Sequence, residues 1–471
     1  MNFKTILRSS VLAALAMMTT TALAGSIDAD HAHAAANKFL QTKTAKGRLN
    51  ASSGIRLVHT EKSKVSDNAY YVFNVNGGGW IIIAGDDRAK EVLAYGDKGN
   101  IDMNNLPGGM MGYLNLYKEQ IETAQAYKGK VTAVKSYTRS TVVAPLLKTN
   151  WGQGEPMNRY CPMNGTKRTS VGCGPLAMAQ IMYYWKYPEG SEAMSGYNAY
   201  PGVGSIPALE ATTFDYDKIL DIYTIYNPET GGLTYVDYTD EQANEVAKLC
   251  RYCGQACKAR YGNSGTTGTG SYTYDQLAAF KFFGFNSEAQ LIGKDPSYYN
   301  ANWGHKYTDD EWAALIYTEL EAARPIPYHD LYEGHAWVLD GVDAEGRFHM
   351  NWGFNEKFNG WYELNALVIV PYGDDEVWDF SSSGNGGNEM IIGMYPYEGY
   401  VIPGGEDPQR GDVNGDGKVN VSDAIDLINY LLNEEGDINL TAADCHQDGE
   451  INVIDAIDLI NFLLNDSWGN E

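Results

Sequence analysis

One cysteine in this sequence lies where a reactive thiol is expected. The segment SVGCGPLAMAQIMYYW places Cys173 between two glycines, at the start of an apolar stretch with helical spacing. Pro175 fits the first turn of that helix, and Gly172 and Gly174 allow a close approach of the backbone to a ligand. A helix N-terminus stabilises a thiolate and offers free N–H groups to a developing oxyanion. Two interpretations of Cys173 therefore stay open on residue chemistry alone: a nucleophile, or the small buried apolar residue that a lone cysteine more often is.

A cysteine nucleophile needs a base, normally an imidazole oriented by a third group. The chain has eight histidines, and four of them lie in the same region as the cysteine: His305, His329, His335 and His349. His335 is the best candidate, because GHAWVLDGVD places it after a glycine at the start of a buried-strand pattern. The segment HMNWGFNEKFNGWYEL offers Asn351 as an orienting amide and Trp352 as an indole shield over the imidazole. Spacing alone does not decide between the histidines.

A duplicated segment near the C-terminus carries a different chemistry. GDVNGDGKVNVSDAIDLINYLLN is followed by ADCHQDGEINVIDAIDLINFLLN, and both copies space oxygen donors as a calcium loop does. The candidate ligands of the first copy are Asp412, Asn414, Asp416, Lys418 through its carbonyl, Asn420 and Asp423. Those of the second copy are Asp444, His446, Asp448, Glu450 through its carbonyl, Asn452 and Asp455. Since imidazole is a poor partner for a hard cation, the second site is expected to be weaker.

The composition along the chain divides it into five segments. Residues 1–24 have the layout of a signal peptide for bacterial export, so we expect a secreted protein, either extracellular or associated with the cell surface. Residues 25–141 form a first unit, with a hairpin in YYVFNVNGGGWIIIAGDDR and a helix in MMGYLNLYKEQIETAQAY. Residues 142–400 hold the cysteine and the histidine, residues 401–410 are a Pro/Gly/acidic linker, and residues 411–471 hold the duplicated loops. The basic, hydroxyl-rich stretch 134–153 is predicted to be an exposed, cleavable linker.

Composition also limits the function classes. The formal net charge of -25 argues against nucleic acid as a partner, because a polyanion needs a basic face. After the signal peptide, no apolar run is long enough for a transmembrane segment in the mature chain. Within 142–400, helix patterns come first and short β patterns later, which predicts an α+β domain in two lobes. Cys250, Cys253 and Cys257 lie along one helix face, which favours buried small residues over a metal site.

Several separated motifs together resemble the streptopain family of papain-like cysteine endopeptidases. They are WGQGEPMNRYCP, VGCGPLAMAQIMYYWKYP, GHAWVLDGVD and NWGFNEKFNGWYELNAL, with YYVFNVNGGGWIIIAGDDR resembling the family's inhibitory propeptide. The resemblance implies a zymogen with an α+β propeptide and a two-lobed papain-like protease domain. It implies Cys173 as the nucleophile of a thioacyl-enzyme and His335 as the acid and base. By the same resemblance, Gln153 completes the oxyanion hole, Trp352 packs on the histidine and Asn351 orients it. No cofactor is expected for catalysis.

The duplicated loops, with Asp rather than Glu at the twelfth position, resemble a dockerin. This resemblance implies a small all-α domain with structural Ca²⁺ and a cohesin-like partner; a calcium-stabilised cap without a partner is the alternative. Two other functions stay open. The chain could be catalytically inactive and serve mainly as a dockerin-borne adhesion or scaffold component. It could also be an amidase or transpeptidase that uses the same acyl-enzyme.

Overall fold

The computed structural model describes most of the chain. The described residues are 25–45, 54–128, 131–133, 141–227, 232–262, 268–295, 305–330, 334–371, 387–396, 409–414, 419–433, 438–447, 451–465 and 467–468. The predicted signal peptide at 1–24 and nearly all of the predicted linker at 401–410 therefore lie outside the described residues. None of the helices in the described ranges has the length and apolar content needed to span a bilayer.

The N-terminal unit is a small sheet with a helix on each face. Its elements are α1 (Ala29–Ala45), β1 (Ile55–Lys62), β2 (Asn68–Val75), β3 (Trp80–Ala84), β4 (Val92–Gly96), α2 (Gly108–Ala126) and β5 (Val131–Ala133). Alternate residues of β2 face opposite helices: Phe73 packs with the α1 residue Leu40, whereas Val72 packs with the α2 residue Tyr117. Both faces are thus buried. The predicted hairpin is confirmed, and its turn uses glycines at 77, 78 and 79 with φ of 87°, 109° and 111°.

In its described residues, the second unit contains many short strands, four α-helices and one 3₁₀ helix. Its early elements are β6 (Met163–Asn164), β7 (Lys167–Arg168), α3 (Cys173–Trp185), β8 (Gly190–Ser191), β9 (Tyr197–Asn198), β10 (Ser205–Ile206), β11 (Thr212–Thr213), a 3₁₀ helix (Tyr216–Lys218), β12 (Thr224–Tyr226), β13 (Leu233–Tyr235), α4 (Asp240–Ala256), β14 (Arg260–Tyr261), β15 (Thr269–Gly270) and α5 (Thr273–Phe282). Its later elements are β16 (Gln290–Gly293), α6 (Asp309–Glu321), β17 (Ile326–Asp330), β18 (His335–Val342), β19 (Phe348–Asn351), β20 (Gly360–Tyr362), β21 (Ile369–Pro371) and β22 (Asn388–Ile392). The predicted order of helices first and strands later is confirmed.

Two hydrophobic cores give this unit its two lobes. One core surrounds α3, α4 and α5 and includes Leu176, Leu249 and Phe280. The other lies on the sheet, includes Leu339 and Met350, and is shared with α2 of the N-terminal unit. Because α3 also packs against β18, the first turn of α3 lies at the border between the lobes. The fold is the α+β, two-lobed arrangement that the sequence predicts.

A single ten-stranded sheet joins the N-terminal unit to the second unit. Its order is β1-β2-β3-β4-β20-β19-β18-β17-β22-β16. The junction is the antiparallel pair of β4 and β20, in which Trp361 lies opposite Tyr95 and Tyr362 lies opposite Ala94. The N-terminal unit is therefore attached by main-chain hydrogen bonds as well as by side-chain packing.

The predicted linker at 134–153 is not exposed throughout. Residues 134–140 lie outside the described part of the chain, but Val143 pairs with Val342 of β18 through two backbone hydrogen bonds. Leu147 and Trp151 are buried. The prediction of an exposed linker is wrong for this C-terminal half, because backbone pairing holds it on β18 and its two apolar side chains lie in the core that surrounds α3, α4 and α5.

The C-terminal unit is small and helical. It consists of α7 (Val421–Asn433), α8 (Leu440–Ala443) and α9 (Val453–Asn465). A short core that includes Val413, Leu427, Cys445 and Leu459 holds α7 against α9. The duplicated sequence thus gives two equivalent helices that pack on each other.

Candidate active site

Cys173 is the first residue of α3, and its two flanking glycines are needed for that position. Gly172 has a φ of 95°, and a Cβ there would lie 2.9 Å from Cγ2 of Thr269. A Cβ on Gly174 would overlap the hydroxyl of Ser271. The next residues of α3 are buried through Tyr183, whereas Cys173 is only half-buried. The helix is thus anchored in the core and presents its cysteine at the lobe border.

His335 is the first residue of β18 and is held by a backbone carbonyl. Its Nε2 lies 3.1 Å from the carbonyl oxygen of Trp352. Since a carbonyl only accepts, Nε2–H is the donor and the basic nitrogen of the neutral ring is Nδ1. Three aromatic rings surround the imidazole: Trp337, nearly parallel with a centroid distance of 6.2 Å, Trp352 at 6.2 Å and Phe354 at 5.3 Å. The ring has little freedom to turn away from the cysteine.

Among the six cysteines, Cys173 is the one whose thiol pKa is lowered. Burial opposes its ionisation, but the charge and hydrogen bond of His335, with a further hydrogen bond to the backbone at Ala336, lower its pKa to about 6. Burial instead raises the pKa of Cys161 and of Cys257 to about 12. All six cysteines are free thiols, and the other five are buried. Thiolate reactivity at neutral pH is therefore concentrated at Cys173.

The three cysteines in and just after α4 are core residues. Cys250, Cys253 and Cys257 are fully buried. Burial holds the pKa of Cys250 and of Cys253 well above its ordinary value. They contribute to the helical-lobe core, as the sequence predicts.

Gln153 lies beside the loop that leads into α3. Its carbonyl oxygen accepts a hydrogen bond of 3.0 Å from the N–H of Val171, two residues before the cysteine. This bond brings the residue next to the N-terminus of α3, and its side chain is partly exposed. The position is compatible with a side-chain amide that shares an oxyanion with the Cys173 N–H.

Trp352 and Asn351 have different relations to the histidine. Trp352 is fully buried, donates its indole N–H to the hydroxyl of Tyr362 at 3.1 Å, and packs against His335. The amide of Asn351 is engaged elsewhere: its Nδ2 donates to the carbonyl of Thr149 at 2.8 Å, and its Oδ1 accepts from the Gly353 N–H at 3.2 Å. Asn351 thus fixes the loop that carries Trp352, and the Trp352 carbonyl, rather than the Asn351 amide, meets the imidazole.

The N-terminal unit reaches this ring cluster directly. Gly109, at the start of α2, packs so closely that a Cβ would lie 2.7 Å from Trp352, 2.9 Å from Trp337 and 3.1 Å from Cδ2 of His335. Tyr113, one turn later, contacts both tryptophans edge-on. The sequence analysis predicted neither this contact nor the role of Trp337. The role of Trp337 could have been predicted, because it lies two residues after His335 on a strand and such residues share a face.

The other three candidate histidines each lie beside an acidic residue. His349 Nδ1 lies 2.6 Å from the buried carboxylate of Asp340. His329 lies on β17, with Nδ1 3.1 Å from Thr273 Oγ1 and 3.5 Å from Glu389 Oε2. His305 is half-exposed on the surface and lies 3.5 Å from Glu311. Of the four candidate histidines, His335 is the one that hydrogen-bonds the cysteine thiol.

The two C-terminal loops are closed in the same way. The buried carboxylate of Asp423 accepts hydrogen bonds from the N–H groups of Asn414 at 3.0 Å and Asn420 at 2.8 Å. That of Asp455 accepts from the N–H groups of His446 at 2.7 Å and Asn452 at 2.8 Å. Asp412 is buried and Asp444 is partly buried at the equivalent loop starts. Asp416, Lys418, Asp448 and Glu450 lie outside the described residues.

The donor set of the first loop fits Ca²⁺, because all of its candidate ligands are oxygens. The second loop differs at His446, whose Nδ1 lies 2.8 Å from Asp458 Oδ2. Its imidazole is thus turned toward the following helix, which agrees with a weaker second site.

Three segments of the chain match models of known protein families. Residues 24–121 match the Spi protease inhibitor, residues 151–362 match the Peptidase C10 family, and residues 410–464 match the dockerin type I domain. The three matches follow the order of the units in the structure.

Individual proteins that are similar to this chain agree with these family matches. The chain is 25% identical to streptopain of Streptococcus pyogenes over 355 residues, which cover 71% of this chain and 82% of streptopain. It is 26% identical to the thiol protease/hemagglutinin PrtT of Porphyromonas gingivalis over 398 residues, 79% of this chain and 42% of PrtT. Among solved structures, a prointerpain A fragment of Prevotella intermedia superposes with a TM-score of 0.57 at 26% identity, covering 73% of this chain and 99% of that fragment.

Proposed function

The chain belongs to the peptidase C10 family of cysteine proteases, with a Spi-type propeptide and a type I dockerin domain, and we propose that it is an exported zymogen whose mature form hydrolyses peptide bonds through a Cys173 thioacyl-enzyme. One observation carries the proposal: the half-buried thiol of Cys173 begins α3 and has its pKa lowered to about 6, against the effect of burial, by His335.

Each step of the reaction can be assigned to a residue. The Cys173 thiolate attacks the scissile carbonyl carbon, and the resulting oxyanion accepts hydrogen bonds from the Cys173 N–H and the Gln153 side chain. His335, protonated in the ion pair, gives its proton to the leaving amine as the C–N bond breaks. Water then attacks the thioester while His335 takes its proton, and the thiolate leaves as the acid product forms.

The contacts of α2 support latency of the precursor. Gly109 and Tyr113 cover the tryptophan cluster on which His335 rests, and the β4–β20 pair fixes the propeptide to the protease sheet. We place the activating cleavage in the segment from Arg139 to Lys148, where basic residues suit autolysis or a trypsin-like activator. The pairing of Val143 with β18 favours the N-terminal part of that segment.

The C-terminal unit is proposed to bind Ca²⁺ and a cohesin-like partner. When bound, the ion would supply structural cross-linking of each loop, with oxygen ligands from the candidate residues named above. Both helices expose apolar side chains at equivalent positions: Val421, Ile425, Ile428 and Leu432 on α7, and Val453, Ile457, Ile460 and Leu464 on α9. Their spacing places each set on one helix face, so the domain offers two similar apolar surfaces to a partner.

The proposed location is outside the cytoplasm. Residues 1–24 carry the signal-peptide pattern, and a dockerin domain suits an extracellular or cell-surface assembly. The mature enzyme would begin after the propeptide.

The proposal is tested with the full-length chain and two cysteine variants. Wild type is expected to shorten and to digest casein under reducing conditions with calcium, and Cys173→Ala is expected to do neither. Cys445→Ala, which removes a buried thiol of the C-terminal unit, serves as the matched control and should behave as wild type. Maturation and casein digestion by purified Cys173→Ala would overturn the assignment.

A further inference from the structure

One loop of the second unit contacts the candidate base and, at the next residue, the segment that carries the glutamine of the proposed oxyanion hole. The loop consists of residues 352–359 and joins β19 to β20. The ring of Phe354 packs on His335 with a centroid distance of 5.3 Å. The backbone N–H of Asn355 donates to the carbonyl of Trp151 at 3.1 Å, two residues before the glutamine. Adjacent residues of one loop therefore serve the two sides of the site.

The side chain of Asn355 packs on Gly152, the residue that precedes Gln153. A Cβ at Gly152 would overlap Nδ2 of Asn355 and would lie 2.5 Å from both Cγ and Oδ1, so the amide occupies the space that any larger residue would need. The Asn355 Oδ1 also accepts a hydrogen bond of 3.0 Å from the hydroxyl of Thr224, which is 1% exposed. A buried hydroxyl thus fixes the Asn355 amide against the glycine.

A second contact fixes Gln153 on the side of the nucleophile. Its carbonyl accepts a hydrogen bond of 3.0 Å from the N–H of Val171, two residues before Cys173. The backbone of Gln153 is therefore held at its own carbonyl and, through Gly152, by Asn355. These two contacts set the direction in which the Gln153 side chain leaves the backbone. All of these residues belong to the second unit, so the contacts do not involve the propeptide.

The backbone of Asn355 also has a conformation that few residues adopt. Its φ is 55°, and Gly353, Glu356 and Phe358 of the same loop have φ of 71°, 66° and 67°. Asparagine is one of the residues with a side chain that is most often found in this left-handed region. Backbone strain of this kind costs free energy and is kept where the surrounding structure fixes it, often at active sites. Asparagine at 355 satisfies both this conformation and the amide contacts.

We propose that Asn355 is a positioning residue of this active site: its N–H and its amide hold the segment 151–153 so that the Gln153 side chain reaches the oxyanion. The inference rests on the proposed function, in which Gln153 and the Cys173 N–H share that oxyanion. The oxyanion forms only after the thiolate has attacked the carbonyl carbon. Loss of Asn355 should therefore lower kcat, while KM and the reactivity of the Cys173 thiol stay unchanged.

The test compares glycine variants of two neighbouring loop residues. Full-length chains are processed to the mature enzyme by an added protease that is then removed, and active sites are counted by alkylation of Cys173. Asn355→Gly deletes the amide without backbone strain and is expected to lower kcat for a peptide substrate about tenfold with KM unchanged. Glu356→Gly is the matched control, because Glu356 is also left-handed but pairs with Lys98 of the propeptide. Its kcat should equal that of wild type.

The rate of alkylation by iodoacetamide separates a positioning role from general damage to the site. This reaction displaces iodide and forms no oxyanion, so Cys173 of Asn355→Gly should react as fast as Cys173 of wild type. Slower alkylation would show that the variant has disturbed the thiol or His335, and it would overturn the proposal.

A double-mutant cycle shows whether Asn355 acts through Gln153. Gln153→Ala is expected to lower kcat about 100-fold, as the loss of one oxyanion donor does. In that background Asn355→Gly should lower kcat by less than about twofold, since no glutamine amide remains to be positioned. A tenfold loss in both backgrounds, or a loss no greater than that of Glu356→Gly, would overturn the proposal.

Thr224→Val tests the same contact if Asn355→Gly does not fold. It removes the hydroxyl that fixes Asn355 Oδ1 and should lower kcat about threefold in wild type and not in Gln153→Ala; an unchanged kcat in wild type would overturn the proposal. If Gln153→Ala keeps the wild-type kcat, the proposed oxyanion role of Gln153 fails, and the role of Asn355 fails with it. If Gln153→Ala loses kcat and Asn355→Gly does not, the role of Asn355 alone is overturned.

Discussion

Replacement of Lys43 by methionine should loosen the propeptide from the protease domain. The Lys43 ammonium, near the end of α1, is 1% exposed and lies 2.9 Å from Glu345 Oε2 and 3.4 Å from Asp343 Oδ2. It also lies 4.5 Å from the ring centre of Tyr95. Asp343 keeps a second partner, since Arg347 Nη1 is 2.9 Å away. Burial opposes ionisation of Asp343, but Arg347 and Lys43 hold its pKa below its ordinary value.

The free energy that Lys43→Met costs depends on whether the Asp343 carboxylate keeps a cationic partner. Breaking a buried ion pair by removing one partner costs about 3–5 kcal/mol when the other charge is left alone. Since Arg347 still pairs with Asp343, we expect about 2 kcal/mol, which corresponds to roughly a 30-fold increase in the population of the detached propeptide. Lys98→Met is the matched control: Lys98 also pairs with a protease residue, Glu356, but is 69% exposed, so its loss should cost less than about 1 kcal/mol.

The assay is hydrogen exchange of α1 in full-length chains that carry Cys173→Ala, which prevents processing. Lys43→Met should speed exchange by roughly 30-fold, and Lys98→Met by no more than about fivefold. In chains that retain the cysteine, Lys43→Met should mature faster than either wild type or Lys98→Met. Equal exchange rates for the two lysine variants would refute the reasoning that burial makes the Lys43 contact the stronger one.

Three further predictions concern the thiol, the propeptide and the calcium loops. Because the pKa of Cys173 is lowered to about 6, its thiolate is present above pH 6 and is lost as the pH falls through about 6. The rate of Cys173 alkylation should therefore be level from pH 9 to 7 and fall about tenfold per pH unit below 6. A midpoint near pH 9 would contradict the ion pair with His335. Gly109→Ala places a methyl group against Trp352 and should speed maturation of the precursor, followed on a gel time course. Met111→Ala, on the exposed side of α2, should mature at the wild-type rate. Equal rates for the two variants would argue that the α2 contact does not keep the precursor inactive. Asp423→Asn should lower calcium affinity in calorimetry about tenfold or more with casein digestion unchanged, and a titration identical to that of the control Asp426→Asn would remove Asp423 from the site.

The candidate catalytic residues could be proposed from the sequence because their neighbours along the chain form a local pattern. Two glycines and a proline around Cys173 indicate a helix start, and Gly334 before a β pattern indicates room for a substrate next to His335. The same is true of the calcium loops, whose ligand spacing is regular. Where a site is defined by particular residue types at a fixed spacing, its residues can be proposed from the sequence.

Contacts made by backbone atoms could not be predicted from the sequence. The Trp352 carbonyl that holds His335 has no residue-type signature, so the amide of Asn351 was the more visible candidate. The pairing of Val143 with Val342 likewise gives no local signal, and the basic, hydroxyl-rich residues that precede it favour an exposed linker. The β4–β20 junction and the Gly109 contact bring together segments that are distant in the chain, which one sequence cannot reveal.

If Cys173 is acylated with the help of His335, the acyl-enzyme can be trapped and identified. Processed enzyme is mixed with a peptide ester, quenched in acid within the first turnover, and digested for mass spectrometry. We expect the acyl group on the peptide that contains Cys173, and no acyl group on that peptide in His335→Ala prepared in the same way. An acyl group on any other residue, or rapid ester hydrolysis with Cys173 unmodified and alkylatable throughout, would contradict it.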